Sequence, residues 1–251
     1  MDGILSHLVE RLDQLRTQDD FEAFLRNAAE EMGFDMFAYA GGRLAEDRVT
    51  ARTVFQRPPI TMSSFPDDWL THYANEGYFK DDYVVVQSLR AILPDQWHAE
   101  RGVREIRPRQ AQIMREAIDA GLRRGFFVPI HGPANDFGLL NVICNEAEGE
   151  FSKIVERYRH EVHVLAVHFH DAVQKRLPAS AGRGARLQLT ERESEILRWT
   201  AVGKTSWEIS EILHIAERTV NFHVANTMRK LGVYSRTHAV AKSISLGLTR
   251  L

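Results

Sequence analysis

The chain has 251 residues, 44% hydrophobic and 26% charged, with 16 Gly, 8 Pro and a single cysteine. That composition belongs to an ordinary globular protein and excludes a disordered or collagen-like chain; the length predicts one or two domains. The lone Cys144 excludes an internal disulfide framework and a cysteine-built zinc site, and its apolar neighbours mark it as a small core residue in a reducing compartment. Asp2 and Glu10 break the start of the chain, and the longest uncharged run in its middle, 125–135, is too short to span a bilayer. A soluble, cytoplasmic protein with no membrane partner is expected.

The formal net charge of −2 hides an asymmetry. From residue 185 onward ten Lys and Arg face six Asp and Glu, a net of +4, while the first 184 residues carry 22 against 28, a net of −6. A mildly acidic body with a basic tail predicts that the tail meets a polyanion. Small residues, Pro and Gly fill the stretch between, so residues 177–188 read as a linker separating a domain at 1–176 from one at 189–251.

In chain order, apolar periodicity predicts helix over 4–32 with Gly33 as its stop, and a buried strand at 34–40 closed by a Gly41-Gly42 turn. A second strand is expected within 48–56. A short helix follows at 66–76, capped by Ser63 or Ser64, and a helical stretch at 83–89. Pro108 opens a helix ended by Gly121. Residues 126–130 and 137–144 read as an antiparallel pair joined by loop residues, and 151–176 as a long helix. The order predicts an α+β fold: an antiparallel sheet flanked by helices, an α-β-α sandwich of the GAF/PAS-like kind, followed by an all-α domain. No glycine-rich phosphate loop follows a strand, which argues against a nucleotide enzyme.

The tail carries the sharpest signals. Thr190 with Glu193, and Thr205 with Glu208, have the Thr-x-x-Glu form of a capping box, each opening a helix. The first helix places Ile196, Leu197, Trp199, Thr200 and Val202 on its apolar side. His214-Ile215-Ala216 is a tight turn, residues 217–231 form a longer helix ending before Gly232, and a last helix is expected at 237–246. Two short helices across a tight turn form a helix-turn-helix whose second helix enters the major groove. Its outward side carries Glu217, Arg218, Asn221, Phe222, Ala225, Asn226 and Arg229. Asn221 is suited to read a base edge, and Lys204, Thr205, Arg229 and Lys230 to hold phosphates; Arg218, Thr219 and Asn226 complete the expected DNA-binding set.

The run Leu189-Thr-Glu-Arg-Glu-Ser-Glu-Ile-Leu and the run Arg218-Thr-Val-Asn-Phe-His-Val resemble the carboxy-terminal domain of LuxR-type regulators. Ala216 departs from that pattern, which often has a capping residue before the recognition helix. In the body, Phe65-Pro-Asp-Asp-Trp69, Tyr73, Gly77-Tyr78, Asp82 and Leu93-Pro-Asp-Gln-Trp97 resemble the ligand domain of acyl-homoserine-lactone receptors of the same family. The glycines at 121, 125, 132 and 138 and Pro129 extend the resemblance over most of the chain. It implies that Trp69 donates to a lactone carbonyl, that Asp82 accepts from the ligand amide, and that Tyr73, Val84 and Trp97 line the cavity, Trp97 near the lactone ring. Where many relatives have Tyr the chain has Phe65, which removes a donor; Asn141 is placed to supply another. Leu70 stands where receptors of 3-oxo chains carry Arg, which implies a ligand without a 3-oxo group. Phe126 and Phe127 are expected to shorten the cavity or stack on an aryl group.

The 151–176 helix has a heptad-like stripe at Ile154, Tyr158, Val162, Leu165, Phe169 and Val173, fit to pack on the sheet or a second chain. Its histidines at 160, 163, 168 and 170 lack supporting carboxylates and read as solvated or packed residues, not metal ligands. The resemblance implies a ligand-dependent transcription regulator. It further implies a homodimer on palindromic double-stranded DNA, with RNA polymerase expected as a further partner, and no cofactor or catalytic residue. Two rival readings share the fold: a regulator answering to a non-lactone small molecule, and an antagonist acting through mixed dimers.

Overall fold

The computed structural model describes residues 2–46, 53–56, 58–102, 106–177, 189–245 and 248. Two compact units divide the chain, an amino-terminal α+β unit and a carboxy-terminal helical one. The expected linker at 177–188 lies outside the described residues except for Leu177.

The first unit opens with α1 (Asp2–Leu12) and α2 (Gln18–Glu31) where one helical stretch was expected. Thr17 separates them. Its hydroxyl accepts from the Asp20 N–H at 3.2 Å while the Asp20 carboxylate accepts from the Thr17 N–H at 2.8 Å, a reciprocal cap that restarts the helix. The strands are β1 (Met36–Glu46), β2 (Thr53–Phe55), β3 (Ile60–Ser63), β4 (Asp95–His98), β5 (Arg124–His131) and β6 (Asp136–Ile143). Of the second strand expected within 48–56, residues 48–52 lie outside the described residues. The helices between and after them are α3 (Asp67–Asn75), α4 (Tyr83–Ser88), α5 (Ala99–Gly102), α6 (Pro108–Asp119) and α7 (Glu148–Arg176).

Among the described residues all pairings are antiparallel, in the order β2-β1-β6-β5-β4, and β3 shares the outer edge of β1 with β2. β1 runs straight through Gly41 and Gly42, where a turn was expected. The glycine serves packing instead. A Cβ at Gly41 would strike the Tyr39 hydroxyl, and one at Gly138, its cross-strand partner, would strike the His170 ring. The space they leave holds a buried chain: Tyr39 Oη lies 2.7 Å from His170 Nδ1, and His170 Nε2 lies 3.0 Å from Asp136 Oδ2. With Nε2–H donating to the carboxylate, Nδ1 accepts from the Tyr39 hydroxyl.

Strand alternation divides the core in two. Phe126, Val128 and Ile130 of β5, with Leu140 and Val142 of β6, face α1, α2 and α7 through Phe21, Phe24, Val162, Leu165 and Phe169. Phe127, Phe137, Leu139 and Ile143 face the opposite way, toward Trp69, Val84, Val85, Ile113 and Met114 on α3, α4 and α6. The stripe on α7 is thus largely covered by the sheet and the amino-terminal helices; Ile154 and Tyr158 pack on it half-buried. Cys144 is buried with that same side.

The second unit contains α8 (Glu191–Ala201), α9 (Ser206–Leu213), α10 (Glu217–Leu231) and α11 (Arg236–Ser245). Both capping boxes form, Thr190 with Glu193 and Thr205 with Glu208. Ile196, Ile209 and Val220 make one small core and Leu197, Leu231, Val233 and Ala239 another. Val202, expected inward, is 62% exposed because α8 ends beside it. Ala216 caps α10 without a side-chain hydrogen bond.

Candidate functional site

Between the sheet and the layer of α3, α4 and α6 lies a cavity of about 580 Å³, within the ~300–1,000 Å³ usual for small-ligand sites. It exists because β1 offers Ala38 and Ala40 on this face while Phe37 and Tyr39 point to the other core. Met62, Ile113, Met114 and Leu139 make its walls mostly apolar.

Seven of the nine residues expected at a ligand line this cavity: Phe65, Trp69, Tyr73, Asp82, Val84, Trp97 and Asn141. Phe126 does not; it belongs to the core on the other face of the sheet. Phe127 is on the cavity's side but is covered, 1% exposed and away from the lining. The period of two in a strand gives one phenylalanine to each face, so the pair does not act together. Sequence reasoning missed Ala38 and Ala40, whose signal was the alternation of small and aromatic side chains along β1. Neither Ser63 nor Ser64 caps α3: Ser63 Oγ accepts from Phe65 N, Ser64 Oγ from Phe37 N, and Pro66 stands at the cap.

The wall also carries polar side chains: Glu22, Thr61, Ser63 and Asp67 besides Tyr73, Asp82 and Asn141. Asp82 caps α4, its Oδ1 accepting from the Val84 N–H at 2.7 Å and its Oδ2 from the Tyr73 hydroxyl at 2.9 Å. Burial pushes its carboxyl above the usual carboxylate range, although these two bonds pull it down. Burial, with Asp82 beside it, pushes the Tyr73 phenol well up, so Tyr73 is a donor. Across the cavity Trp97 Nε1–H donates to Asn141 Oδ1 at 2.9 Å. The indole of Trp69 takes part in none of these bonds. It is 7% exposed and packed against tilted aromatic rings, with Tyr73 and Tyr78 ring centroids at 5.8 and 6.2 Å. Tyr78 is fixed in turn: its hydroxyl donates to Glu116 and Arg109 lies over its ring at 4.7 Å. Donation from Tyr78, Gln112 and His72 holds the Glu116 carboxyl down at about 2. Among the described residues no group of three or more His, Cys, Asp or Glu is placed to hold a metal ion.

In the second unit α9, a turn with His214 in the left-handed region (φ 52°) and α10 form the helix-turn-helix. Arg218, Asn221, Phe222 and Arg229 are exposed on α10, Phe222 at 61%, while Thr219 and Asn226 are half-buried. Asn221 Oδ1 accepts from Ser206 Oγ at 2.6 Å, and Ser206 Oγ accepts from Arg236 at 2.9 Å. Asn226 Oδ1 accepts from Arg229 at 3.0 Å. Three expected phosphate holders also have structural partners. Lys204 pairs with Glu208 at 2.9 Å, Thr205 caps α9, and Lys230 reaches Glu193 at 2.7 Å. Burial raises the Glu193 carboxyl, but Lys230 and the Thr190 N–H outweigh it and hold the group below the usual range.

Residues 17–173 match the autoinducer binding domain family, and residues 187–243 match the luxR family of bacterial regulatory proteins. The chain is 30% identical over 236 residues to the transcriptional activator protein BjaR1 of Bradyrhizobium diazoefficiens, covering 94% of this chain and 92% of that one. It is 32% identical over 247 residues to the quorum sensing-dependent transcriptional regulator RpaR of Rhodopseudomonas palustris, covering 97% and 92%. Its fold is similar to that of Escherichia coli SdiA in complex with octanoyl-rac-glycerol, with a TM-score of 0.72 at 22% identity over 98% and 96% of the two chains. The chain belongs to the LuxR family of transcriptional regulators, with an autoinducer-binding domain ahead of a DNA-binding helix-turn-helix.

Proposed function

We propose that the cavity takes an N-acyl-homoserine lactone and that the liganded chain binds a palindromic promoter site as a homodimer. The observation that carries this reading is the polarity of the cavity. The Asp82 carboxylate and the N–H-bearing side chains of Trp69 and Asn141 line one hollow whose walls are mostly apolar, with Glu22 and Asp67 also in its lining. A neutral amide joined to a lactone needs one acceptor and two donors. Asp82 accepts from the amide N–H, Trp69 Nε1–H donates to the lactone carbonyl, and Asn141 donates to the acyl carbonyl in place of the hydroxyl that Phe65 lacks. Tyr73, Val84 and Trp97 pack around the ligand. The working division is a ligand domain at 1–176, a linker at 177–188 and a DNA domain at 189–251. In the latter Asn221 reads a base edge, Lys204, Thr205, Arg218, Thr219, Arg229 and Lys230 hold the backbone, and Asn226 orients Arg229.

A ligand that fills the hollow becomes part of the core and stabilises the folded chain, by about 2.7 kcal/mol at a hundred times its Kd. The test is a thermal-shift panel on the full chain with short, long, branched, 3-oxo and aryl homoserine lactones, and with octanoyl-glycerol. A chain-selective rise in Tm, lost in Asp82→Ala, supports the reading. A rise with octanoyl-glycerol and with none of the lactones replaces it with a receptor for acyl compounds that lack the amide.

A further inference from the structure

The sheet wall of the cavity contains one hydrogen bond whose direction is fixed by chemistry. Trp97 stands on β4 and Asn141 on β6, with β5 between them; Trp97 pairs with Gly125 and Asn141 with Phe127. The indole reaches over β5 at Gly125, where a Cβ would come within 2.6 Å of Nε1, and meets Asn141 Oδ1 at 2.9 Å. An indole N–H only donates, so the atom it meets is the amide oxygen and the two amide N–H groups are turned from Trp97. Both side chains line the cavity, and the Trp97 donor is consumed within the protein.

We infer that Trp97 is a positioning residue that holds Asn141 as a donor toward the cavity, making this subsite selective for a carbonyl oxygen. The inference rests on the lactone reading and sharpens it: the carbonyl is that of the acyl amide. In a trans amide the N–H and the C=O point in opposite directions. The cavity offers the matching pair on facing walls, the Asp82 acceptor at the start of α4 and the Asn141 donor on β6. Without the indole the Asn141 amide is free to turn, and the orientation that presents its oxygen opposes the ligand carbonyl. Trp97 therefore acts on ligand selectivity through Asn141, not by bonding the ligand itself.

The experiment is a double-mutant cycle on lactone affinity in the full chain, using N-butanoyl- to N-dodecanoyl-homoserine lactones as probes. Trp97→Phe keeps the ring's bulk and removes the donor; it is expected to weaken binding about tenfold, the worth of one well-oriented hydrogen bond. In the Asn141→Ser background the same change is expected to cost less than about twofold, because a hydroxyl rotates to donate unaided. Asn141→Asp keeps the bond from Trp97 but turns an acceptor toward the ligand, and is expected to weaken binding by about a hundredfold or more. The ligand-free Tm of each variant reports folding separately, and Asn141→Asp stands as the test should Trp97→Phe not fold. Equal costs of Trp97→Phe in both backgrounds, or unimpaired binding by Asn141→Asp, overturn the inference while leaving the lactone reading in place. No binding of any lactone by the unmodified chain overturns both.

Discussion

In the amino-terminal unit the oxygen of Asn141 is tied to Trp97 inside a wall of the cavity; in the carboxy-terminal unit the oxygen of Asn221 is tied to Ser206, itself held by Arg236, on the exposed face of α10. On the proposed reading, an internal donor in each unit decides which end of an asparagine faces its target. They differ in surroundings. The cavity's walls are mostly apolar, so a polar group turned the wrong way against a bound ligand is left without a partner. The α10 face is open, and water compensates most of any misorientation. The same chemical change is therefore expected to cost more in the cavity than on the DNA face, and the predictions run in that order.

Outside the Trp97–Asn141 pair, the largest effect belongs to Asp82. Asp82→Asn retains a side-chain oxygen to cap α4 but presents an amide where the ligand N–H needs an acceptor. Ligand affinity is expected to fall about a hundredfold, the range for a hydrogen bond to a buried charge; titration calorimetry of the full chain reads it. Next is Gly125→Ala. The added Cβ would lie 2.6 Å from both Trp97 Nε1 and Val142 O, and overpacking of this kind costs about 1–3 kcal/mol. Chemical denaturation should show that loss together with weakened ligand binding. A loss of stability with ligand affinity intact would show that the indole does not act through Asn141.

On the DNA face the expected changes are smaller. Ser206→Ala frees the Asn221 oxygen, which then also accepts from adenine or cytosine. Selection from a random duplex library should show relaxed preference at one base position per half-site, with discrimination reduced by about 1 kcal/mol. A uniform fall in affinity across all sequences would make Ser206 a packing residue only. Ala216→Ser supplies the missing cap of α10 and should stabilise the second unit by about 0.5–1 kcal/mol, read as a higher Tm of its transition.

The smallest effect is that of pH on the ligand-free chain. Burial raises the Asp82 pKa in the folded state above its unfolded value. Below the ordinary carboxylate range both states hold the proton and the group costs nothing. As pH rises through that range the unfolded state ionises first, so stability relative to Asp82→Asn falls, levelling off once the folded carboxyl ionises. Denaturation of both proteins between acid and neutral pH should show the gap opening in favour of the variant as pH rises. A gap that opens toward acid would contradict the burial of this carboxylate.

What could be read from the chain alone was local. The boxes at Thr190 and Thr205 were legible because each is complete within four residues, and Pro108 and Gly121 bracket α6 for the same reason. The box at Thr17 is equally short, but apolar residues continue on both sides and hide the break. Gly41 was misread because its purpose lies far along the chain, in the Tyr39–His170–Asp136 contact that crosses the sheet. Residue types at the cavity were legible through resemblance, and seven of them share one hollow. The phase of β5, which sends Phe126 away, was not, because two adjacent phenylalanines give no indication of which faces which core. The pairing of Trp97 with Asn141 spans 44 residues and depends on the order of three strands, which no local pattern carries.

The most direct test of the central claim observes the ligand amide itself. A homoserine lactone labelled with ¹⁵N at its amide, of the chain length giving the largest thermal shift, is bound to the full chain and followed by NMR. The account predicts that the amide proton moves downfield on binding, as expected for a bond to the Asp82 carboxylate, and returns toward its free position with Asp82→Asn at saturating ligand. A bound amide proton that is indifferent to that substitution would contradict it.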